Sequence, residues 1–172
     1  PNEGFEASFI PFIKKIDDFH AKVNSNFNKN VSFIENGDSI KTLQELLVKF
    51  KGKPILVDFW FSTCGPCVSN FQRFGKDLEK FTVQNDITLL CVSIDKEQEQ
   101  WHTAIKYYKI GGKHIKACQS LHEDIYKTHN VHIFPHYMLV GSDGKILINR
   151  LKDLSEHDNF YNQIYDALAK EE

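Results

Sequence analysis

Two cysteines separated by two residues, Cys64 and Cys67, are the part of the sequence best suited to chemistry. At this spacing the second sulfur can reach back one turn and close a bridge with the first. Such a pair exchanges electrons with other disulfides, because the thiolate form of a cysteine attacks a disulfide sulfur. The pattern therefore indicates thiol-disulfide redox chemistry.

The flanking residues predict the elements that position this pair. Between residues 55 and 61 every residue is apolar except Asp58, which is typical of a strand covered on both faces. The chain then changes to helical spacing, with one apolar face formed by Phe71, Phe74, Leu78 and Phe81. Cys64 would stand at the N-terminus of this helix, where free N–H groups and the helix dipole favour a thiolate.

Two other uses of closely spaced cysteines compete with this interpretation. The pair could be half of a zinc site, or two inert buried thiols. Zinc would need a second Cys/His pair at ligand spacing, and Cys91 and Cys118 do not form one. The strand–CxxC–helix context favours redox chemistry, with no metal ion and no cofactor expected.

Several segments resemble the thioredoxin superfamily. Val57-Asp58-Phe59-Trp60 followed by Cys64-Gly65-Pro66-Cys67 has the Asp-to-Cys spacing and the Gly-Pro of thioredoxin. Three further segments are similar to its extracytoplasmic branch, the TlpA/ResA-like thiol-disulfide oxidoreductases: Gly52-Lys53-Pro54, Val92-Ser93-Ile94-Asp95 before Trp101, and Pro135 before the run from Leu139 to Ile146. The resemblance covers about residues 31–170, and its most specific part is the Cys64–Cys67 segment.

Asp58 is the one polar residue in its strand. Burial should raise the pKa of its carboxyl, because a low dielectric disfavours the charged form. The resemblance implies that Asp58 accepts the proton of Cys67 through a water; the alternative is an Asp that only accepts backbone hydrogen bonds. Cys91 aligns with a buried lysine of thioredoxin, and a thiol supplies no positive charge. We expect Cys91 to be a small core residue and Asp58 to be hard to ionise.

The resemblance also implies a group of residues that contact the substrate. The proline matching Pro135 is cis in thioredoxin-like folds, and the backbone before it pairs with the bound chain like an added strand. The alternative is a trans proline that begins a strand. Phe134 would add an apolar contact with the partner. The expected substrate-binding residues are Trp60, Gly65, Pro66, Phe134 and Pro135, with Trp60 packing beneath the active-site loop.

The composition of this 172-residue chain is ordinary for a soluble globular protein, with 41% hydrophobic and 26% charged residues. A net charge of −2 gives no electrostatic basis for binding nucleic acid or an anionic membrane. No segment approaches the roughly 20 apolar residues that insertion into a bilayer requires. The sequence starts at Pro1 without a signal peptide, which we interpret as a mature form or an excised domain.

The order of the predicted elements indicates an α/β fold: a thioredoxin-like three-layer sandwich, with a central mixed sheet and helices on both faces. Residues 1–30 are expected to be an N-terminal helix and linker, which packs on the domain or joins an upstream domain or partner. Residues 31–172 are expected to be the thioredoxin-like domain. Asn36-Gly37-Asp38 predicts a small hairpin, and Thr42 with Glu45 predicts a capping box. Residues 87–94 predict a strand parallel to the central one.

The sequence and the resemblance together predict an enzyme that exchanges protein disulfides, with Cys64 attacking and Cys67 resolving. The Gly-Pro dipeptide resembles reducing thioredoxins and favours a reductase. TlpA/ResA-like proteins work in the periplasm or cell envelope and receive electrons from a membrane-linked donor, which the resemblance implies here. Alternatives are an oxidant or isomerase of the same fold, and a redox-inactive protein-binding module. A peroxiredoxin would need Thr where this chain has Phe61.

Overall fold

A six-stranded mixed sheet lies at the centre of the molecule. The computed structural model describes the backbone of residues 3–171 and the side chains of residues 9–171. The strands in chain order are β1 (Val31–Phe33), β2 (Ile55–Trp60), β3 (Thr88–Ser93), β4 (Gly112–Lys116), β5 (His136–Val140) and β6 (Ile146–Ile148). Across the sheet the order is β1-β4-β3-β2-β5-β6. Strands β1, β4, β3 and β2 run parallel to one another. Strand β5 is antiparallel to β2, and β6 is antiparallel to β5.

Helices cover both faces of this sheet. They are α1 (Glu3–Val23), α2 (Leu43–Val48), α3 (Gly65–Gln84), α4 (Gln98–Tyr108), α5 (Gln119–Lys127) and α6 (Asp158–Leu168). Short 3₁₀ turns occupy residues 37–39 and 154–156. This arrangement confirms the predicted α/β thioredoxin-like sandwich.

The period-2 alternation of β2 divides the core into two layers. Leu56 and Trp60 face the layer built with α3, α4 and α6, whereas Ile55, Val57 and Phe59 face the layer built with α2 and α5. All six residues of β2 are buried. By the same alternation Asp58 must project toward α3 together with Leu56 and Trp60.

Local signals in the sequence are confirmed where a short segment determines its own structure. Thr42 and Glu45 form the predicted capping box at the start of α2. Helix α3 follows directly on Cys64 and carries proline in its first turn. β2 and β3 pair in parallel with α3 as their crossover, as predicted from the two apolar runs.

The small hairpin predicted between residues 31 and 40 is wrong. Val31–Phe33 forms β1, which pairs in parallel with β4 about 80 residues further along the chain. The turn residues are used differently: Asn36 adopts a left-handed conformation (φ 53°) and precedes the 3₁₀ turn at residues 37–39. The Asn36-Gly37 pair forms a turn, but the apolar residues before it pair with a strand that is distant in the sequence and not with the segment that follows.

The N-terminal helix contacts the rest of the molecule through the C-terminal half of α1. The ring of Phe19 lies 5.4 Å from that of Tyr107 on α4, and the Lys22 ammonium stands 4.9 Å above the same Tyr107 ring. Further toward its N-terminus, Phe12 and Ile13 are exposed. The separate unit of residues 1–30 stays a prediction.

Candidate active site

The cysteine pair lies at the junction between β2 and α3. Cys64 and Cys67 form a disulfide, with an S–S distance of 2.04 Å and Cα atoms 5.3 Å apart. Their side chains are almost buried, at 4% and 1% exposure, whereas Gly65 and Pro66 between them are exposed. A Cβ atom added at Gly65 would meet nothing within 4 Å. The Gly-Pro turn is therefore the open surface above the bridge.

The first turn of α3 directs a polar hydrogen at the sulfur of Cys64. Cys64 is the N-cap of this helix, and the backbone N–H of Cys67 donates to its Sγ at 3.2 Å. This N–H group and the positive end of the helix dipole stabilise a thiolate more than a thiol. In the reduced protein the arrangement favours Cys64 as the nucleophile of the pair.

Asp58 projects from β2 into the core layer that also holds the disulfide. Its side chain is 1% exposed, and no residue of the described chain donates a hydrogen bond to either carboxyl oxygen. Burial raises the pKa of this carboxyl well above its usual value, and the negative charge of Asp153 raises it further. A raised pKa brings a carboxyl closer to the working pH of a general base.

Neutral side chains flank Asp58 on both neighbouring strands. The sheet register pairs it with Cys91 on β3 and with Tyr137 on β5. Burial raises the pKa of the Cys91 thiol and of the Tyr137 phenol well above their ordinary values, so both stay uncharged. Cys91 is buried beside Asp58 at the position that the resemblance assigns to lysine in thioredoxin. The Asp58 carboxyl therefore lies between two strands that offer it no positive charge.

A buried amide extends this polar layer in a way that the sequence did not reveal. Asn70 of α3 donates from Nδ2 to the Tyr137 hydroxyl at 3.2 Å, and the same nitrogen is 3.4 Å from both Asp153 oxygens. These partners lie 67 and 83 residues away from Asn70 in the chain. The available signal was a polar residue on the apolar face of α3, but its partners could be identified only from the tertiary structure.

A carboxylate at the end of β3 fixes the turn that leads to Cys64. Both oxygens of Asp95 accept from the backbone N–H of Ser62, at 3.1 and 3.0 Å, and one accepts from the Ser62 hydroxyl at 2.6 Å. The Ser93 hydroxyl donates to the other oxygen at 2.7 Å. Asp95 is itself buried. The sequence indicates the Val92–Asp95 segment only through the resemblance and does not reveal its contact with the active-site turn.

The segment before β5 lies beside the same turn. The Phe134–Pro135 peptide bond is cis, in agreement with the expectation for Pro135. The Phe134 ring packs edge-on against Phe61, with ring centroids 5.5 Å apart, and both side chains are half-buried. Because Phe61 is three residues before Cys64, this pair brings the Phe134 segment to the edge of the disulfide turn. Ile133 next to it is 58% exposed.

The position of Trp60 does not agree with the expectation that this residue binds substrate. Its side chain is 0% exposed and packs edge-on against Phe71, with ring centroids 5.1 Å apart. The expected packing beneath the active-site loop agrees with this position, but direct contact with a partner does not. The period-2 alternation of β2 explains the difference, because it turns Trp60 into the core below α3.

Two further findings limit the chemistry of the described residues. No group of three or more His, Cys, Asp or Glu side chains among them is arranged to hold a metal ion. Within the same part of the chain, no helix combines the length and the apolar character needed to cross a membrane.

Comparison with known proteins gives the class to which this fold and site belong. A family model described as thioredoxin-like matches residues 52–146. The chain belongs to the thioredoxin-like family. This finding confirms the predicted superfamily, and the solved structures described next are of a thiol-disulfide oxidoreductase and a thiol:disulfide interchange protein.

Solved structures similar to this chain include two proteins from Bacteroides. The thioredoxin domain of a thiol-disulfide oxidoreductase from Bacteroides vulgatus is 31% identical, with a TM-score of 0.59, over 70% of this chain and 82% of that chain. A thiol:disulfide interchange protein from Bacteroides sp. is 30% identical, with a TM-score of 0.58, over 69% of this chain and 74% of that one.

Curated relatives match over a shorter stretch. A chloroplastic thioredoxin-like protein of Nicotiana benthamiana is 33% identical over 61 residues, which are 36% of this chain and 32% of that protein. A chloroplastic thioredoxin-like protein of Solanum tuberosum is 31% identical over a stretch of the same length. The chain thus spans about a third of the length of the curated relatives it matches.

Proposed function

We propose that the protein is a thiol-disulfide oxidoreductase that reduces disulfides in other proteins. The observation that carries this proposal is the bridged Cys64–Cys67 pair at the N-terminus of α3, with the buried Asp58 carboxyl on the strand that leads to it. The similarity to thiol-disulfide oxidoreductases from Bacteroides supports it.

The reaction proceeds in two displacements. In the reduced enzyme the Cys64 thiolate attacks a substrate disulfide, forms a mixed disulfide and releases one substrate thiolate. Cys67 then gives its proton to the Asp58 carboxylate through a water and attacks the Cys64 sulfur. The Cys64–Cys67 bond forms, the mixed disulfide breaks, and the second substrate thiolate leaves. The substrate gains two electrons, and the enzyme is left oxidised.

We assign partner contact to the exposed turn Gly65–Pro66 and to Phe134 and Pro135 beside it. Phe134 presents a half-buried ring next to the active-site turn, and backbone before a strand of this kind can pair with an extended chain. Replacing Phe134 with Ala should raise the KM for a protein disulfide, with little change in the rate of attack on a small disulfide. Equal KM values for both proteins would contradict this assignment.

The electron supply and the compartment follow from the TlpA/ResA-like resemblance. We propose an extracytoplasmic protein, in the periplasm or cell envelope, that is re-reduced by a membrane-linked donor. Fractionation of the native organism with antibody detection tests the compartment, and recovery in the cytosolic fraction would overturn it.

Trapping experiments test the activity itself. In a Cys118→Ser background, Cys67→Ser should accumulate a mixed disulfide with a protein substrate, because the resolving thiol is missing. Cys64→Ser should accumulate none, because the nucleophile is missing. The reduction potential then gives the direction: a value near the −270 mV of thioredoxin supports a reductase, and a value near the roughly −120 mV of DsbA indicates an oxidant. A pair that cannot cycle would leave only a protein-binding role.

A further inference from the structure

A cavity of about 360 Å³ reaches Asp58 from the side of the sheet that α1, α3 and α4 cover. Asp58 and Cys91 lie at its sheet side, and Glu79 of α3 lines its wall. Its described lining includes no residue of the turn at 61–67. The cavity is partly open to solvent, and its volume and the polar side chains in its lining suit several water molecules. It therefore reaches Asp58 without being lined by the dithiol turn.

The proposed function requires such a connection. Asp58 can take the proton of Cys67 only as a carboxylate, and because its pKa is raised the carboxyl must first release its own proton to solvent, before Cys67 resolves the mixed disulfide. With 1% exposure and no hydrogen-bond partner in the described chain, the carboxyl exchanges this proton through water in the cavity that it lines. A bound substrate covers the Gly65–Pro66 surface during the resolving step. None of the residues assigned to partner contact lines the cavity, so the cavity gives the proton a separate route.

Glu79 is the other carboxyl group in the described lining of the cavity. Its oxygens accept from the backbone N–H of Gly111 at 3.1 Å and from Asn30 Nδ2 at 3.4 Å. Within residues 9–171 it forms no ion pair, so neutral donors hold it in place without cancelling its charge. Its charge raises the pKa of the Cys91 thiol, which is the cross-strand neighbour of Asp58. Glu79 therefore acts electrostatically on the sheet side of this cavity.

The charged and titratable groups around the path fall into two sets. Cys91 on β3, Tyr137 on β5 and Asp153 surround the Asp58 carboxyl and offer it no positive charge. The cationic groups that line the cavity lie on the helical side and not on the strands beside Asp58: Lys22 of α1, Lys76 of α3 and Lys109 after α4. The phenols of Tyr107 and Tyr108 on α4 also line it. The proton thus passes from surroundings without a positive charge to a wall that carries charges of both signs.

We propose that Glu79 is the second carboxyl group of a proton path that leads from Asp58 through this cavity to solvent. The inference rests on the proposed function. Before the resolving step the Asp58 carboxyl gives its proton through water to the Glu79 carboxylate, which passes it to bulk solvent, and Asp58 then takes the proton of Cys67. Each cycle carries one proton from Cys67 to solvent, Glu79 is regenerated as a carboxylate and Asp58 as a carboxyl, and no electron moves along this path. Glu79 acts through Asp58 and does not touch the reacting sulfurs.

Stopped-flow reaction of the reduced protein with dithiobis(nitrobenzoate) separates the two steps. Attack by Cys64 releases the first chromophoric thiolate, and resolution by Cys67 releases the second. The Cys118→Ser background removes the half-exposed thiol, and Cys91 is kept because its removal would enlarge the cavity. We expect Glu79→Ala to slow the second phase by about tenfold and to leave the first phase unchanged. This change is smaller than the full effect of a general base, because Asp58 itself is kept. Added formate, a small carboxylate, should restore the second phase in proportion to its concentration.

Asp77→Ala is the matched control, since Asp77 is an exposed carboxylate on the same helix and outside the cavity lining. The rates of both phases in Asp77→Ala should equal those in the parent protein, with or without formate. A second variant, Gly111→Ala, keeps the Glu79 carboxyl but places a methyl group where that carboxyl now lies. It should slow the second phase as well, and it replaces Glu79→Ala if that protein does not fold.

The outcomes separate the two proposals. If the parent protein shows no second phase, the dithiol does not cycle and the proposed function fails. If the second phase is present and slows in Asp58→Asn but not in Glu79→Ala, only the proton path is overturned. A slow second phase that formate does not restore also overturns the path, because Glu79 would then have a purely structural role.

Discussion

At the scale of single residues, Asp58 shows how one buried carboxyl links stability to chemistry. Its position as the only polar residue of β2 predicted a raised pKa, and the structure gives the same direction, caused first by burial and then by Asp153. The carboxyl has no hydrogen bond within the described chain that would compensate for burial. Ionisation of Asp58 must therefore destabilise the folded state.

The sign of that effect gives a first prediction. Between the ordinary carboxyl pKa of the unfolded chain and the raised pKa of Asp58, the folded state binds more protons than the unfolded state. The free energy of unfolding should thus fall as pH rises through this window, by at most about 1.4 kcal/mol per pH unit. Asp58→Asn should lose this slope. Urea unfolding of the oxidised protein from pH 4 to pH 9 measures the slope, and Asp77→Asn, on the exposed side of α3, is the control.

The opposite result has a definite meaning. If wild type and Asp58→Asn keep a constant difference in unfolding free energy over the whole pH range, Asp58 titrates normally. The carboxyl would then lack the raised pKa that its role as proton acceptor for Cys67 requires.

At the scale of elements, the sequence predicted the strands, turns and helices whose formation depends on one contiguous segment. The run of β2, the cysteine turn and the start of α3 are contiguous, so composition and spacing were sufficient. Strand β4 was not predicted: Gly112–Lys116 is short, mixes glycine and lysine with apolar residues, and is held by pairing with β1 and β3. The incorrect hairpin has the same cause, since β1 pairs with this unrecognised strand.

The contact between the end of β3 and the active-site turn gives a second prediction. Asp95 accepts the N–H and hydroxyl of Ser62, and its removal would leave these donors without their partner. Asp95→Ala should lower the free energy of unfolding by about 2 kcal/mol, because hydrogen bonds to a charged group are lost in a buried place. Denaturant unfolding of the oxidised protein measures the loss.

The same variant also reports on the dithiol. A turn that is no longer fixed should shift the Cys64–Cys67 reduction potential, which alkylation trapping across a thiol/disulfide series measures. Ser39→Ala, which removes an exposed hydroxyl that donates to the Asn36 carbonyl oxygen in the 3₁₀ turn at residues 37–39, is the control for loss of a serine hydrogen bond. An Asp95→Ala protein with unchanged stability and potential would show that the turn is held by other contacts.

At the scale of the whole molecule, four strands assemble a row of ionisable side chains across the sheet. The register pairs Tyr137 with Asp58, Asp58 with Cys91, and Cys91 with His114. Each residue is separate in the sequence, and only the strand order and register bring them together. This part of the site could not be predicted, because a shift of register by one residue would send every side chain to the other face.

His114, at the β4 end of this row, gives the last prediction. Its ring is fully buried, Nε2 donates to the carbonyl oxygens of Ile110 and Gly111 at 3.2 Å each, and burial lowers its pKa from 6.5 to about 4. Between these two values the unfolded chain binds a proton that the folded protein excludes, so stability is lost as pH falls. The difference of about 2.5 pH units corresponds to about 3 kcal/mol at pH 4 relative to pH 7.

Asp58 acts in the opposite direction over part of the same pH range, so the His114 contribution must be measured as a difference between variants. Unfolding free energies of wild type and His114→Gln should converge as pH falls from 7 to 4, because Gln carries no proton to exclude. His132→Gln, at an exposed histidine, should remain parallel to wild type. Parallel curves for His114→Gln as well would mean that His114 charges within the folded protein.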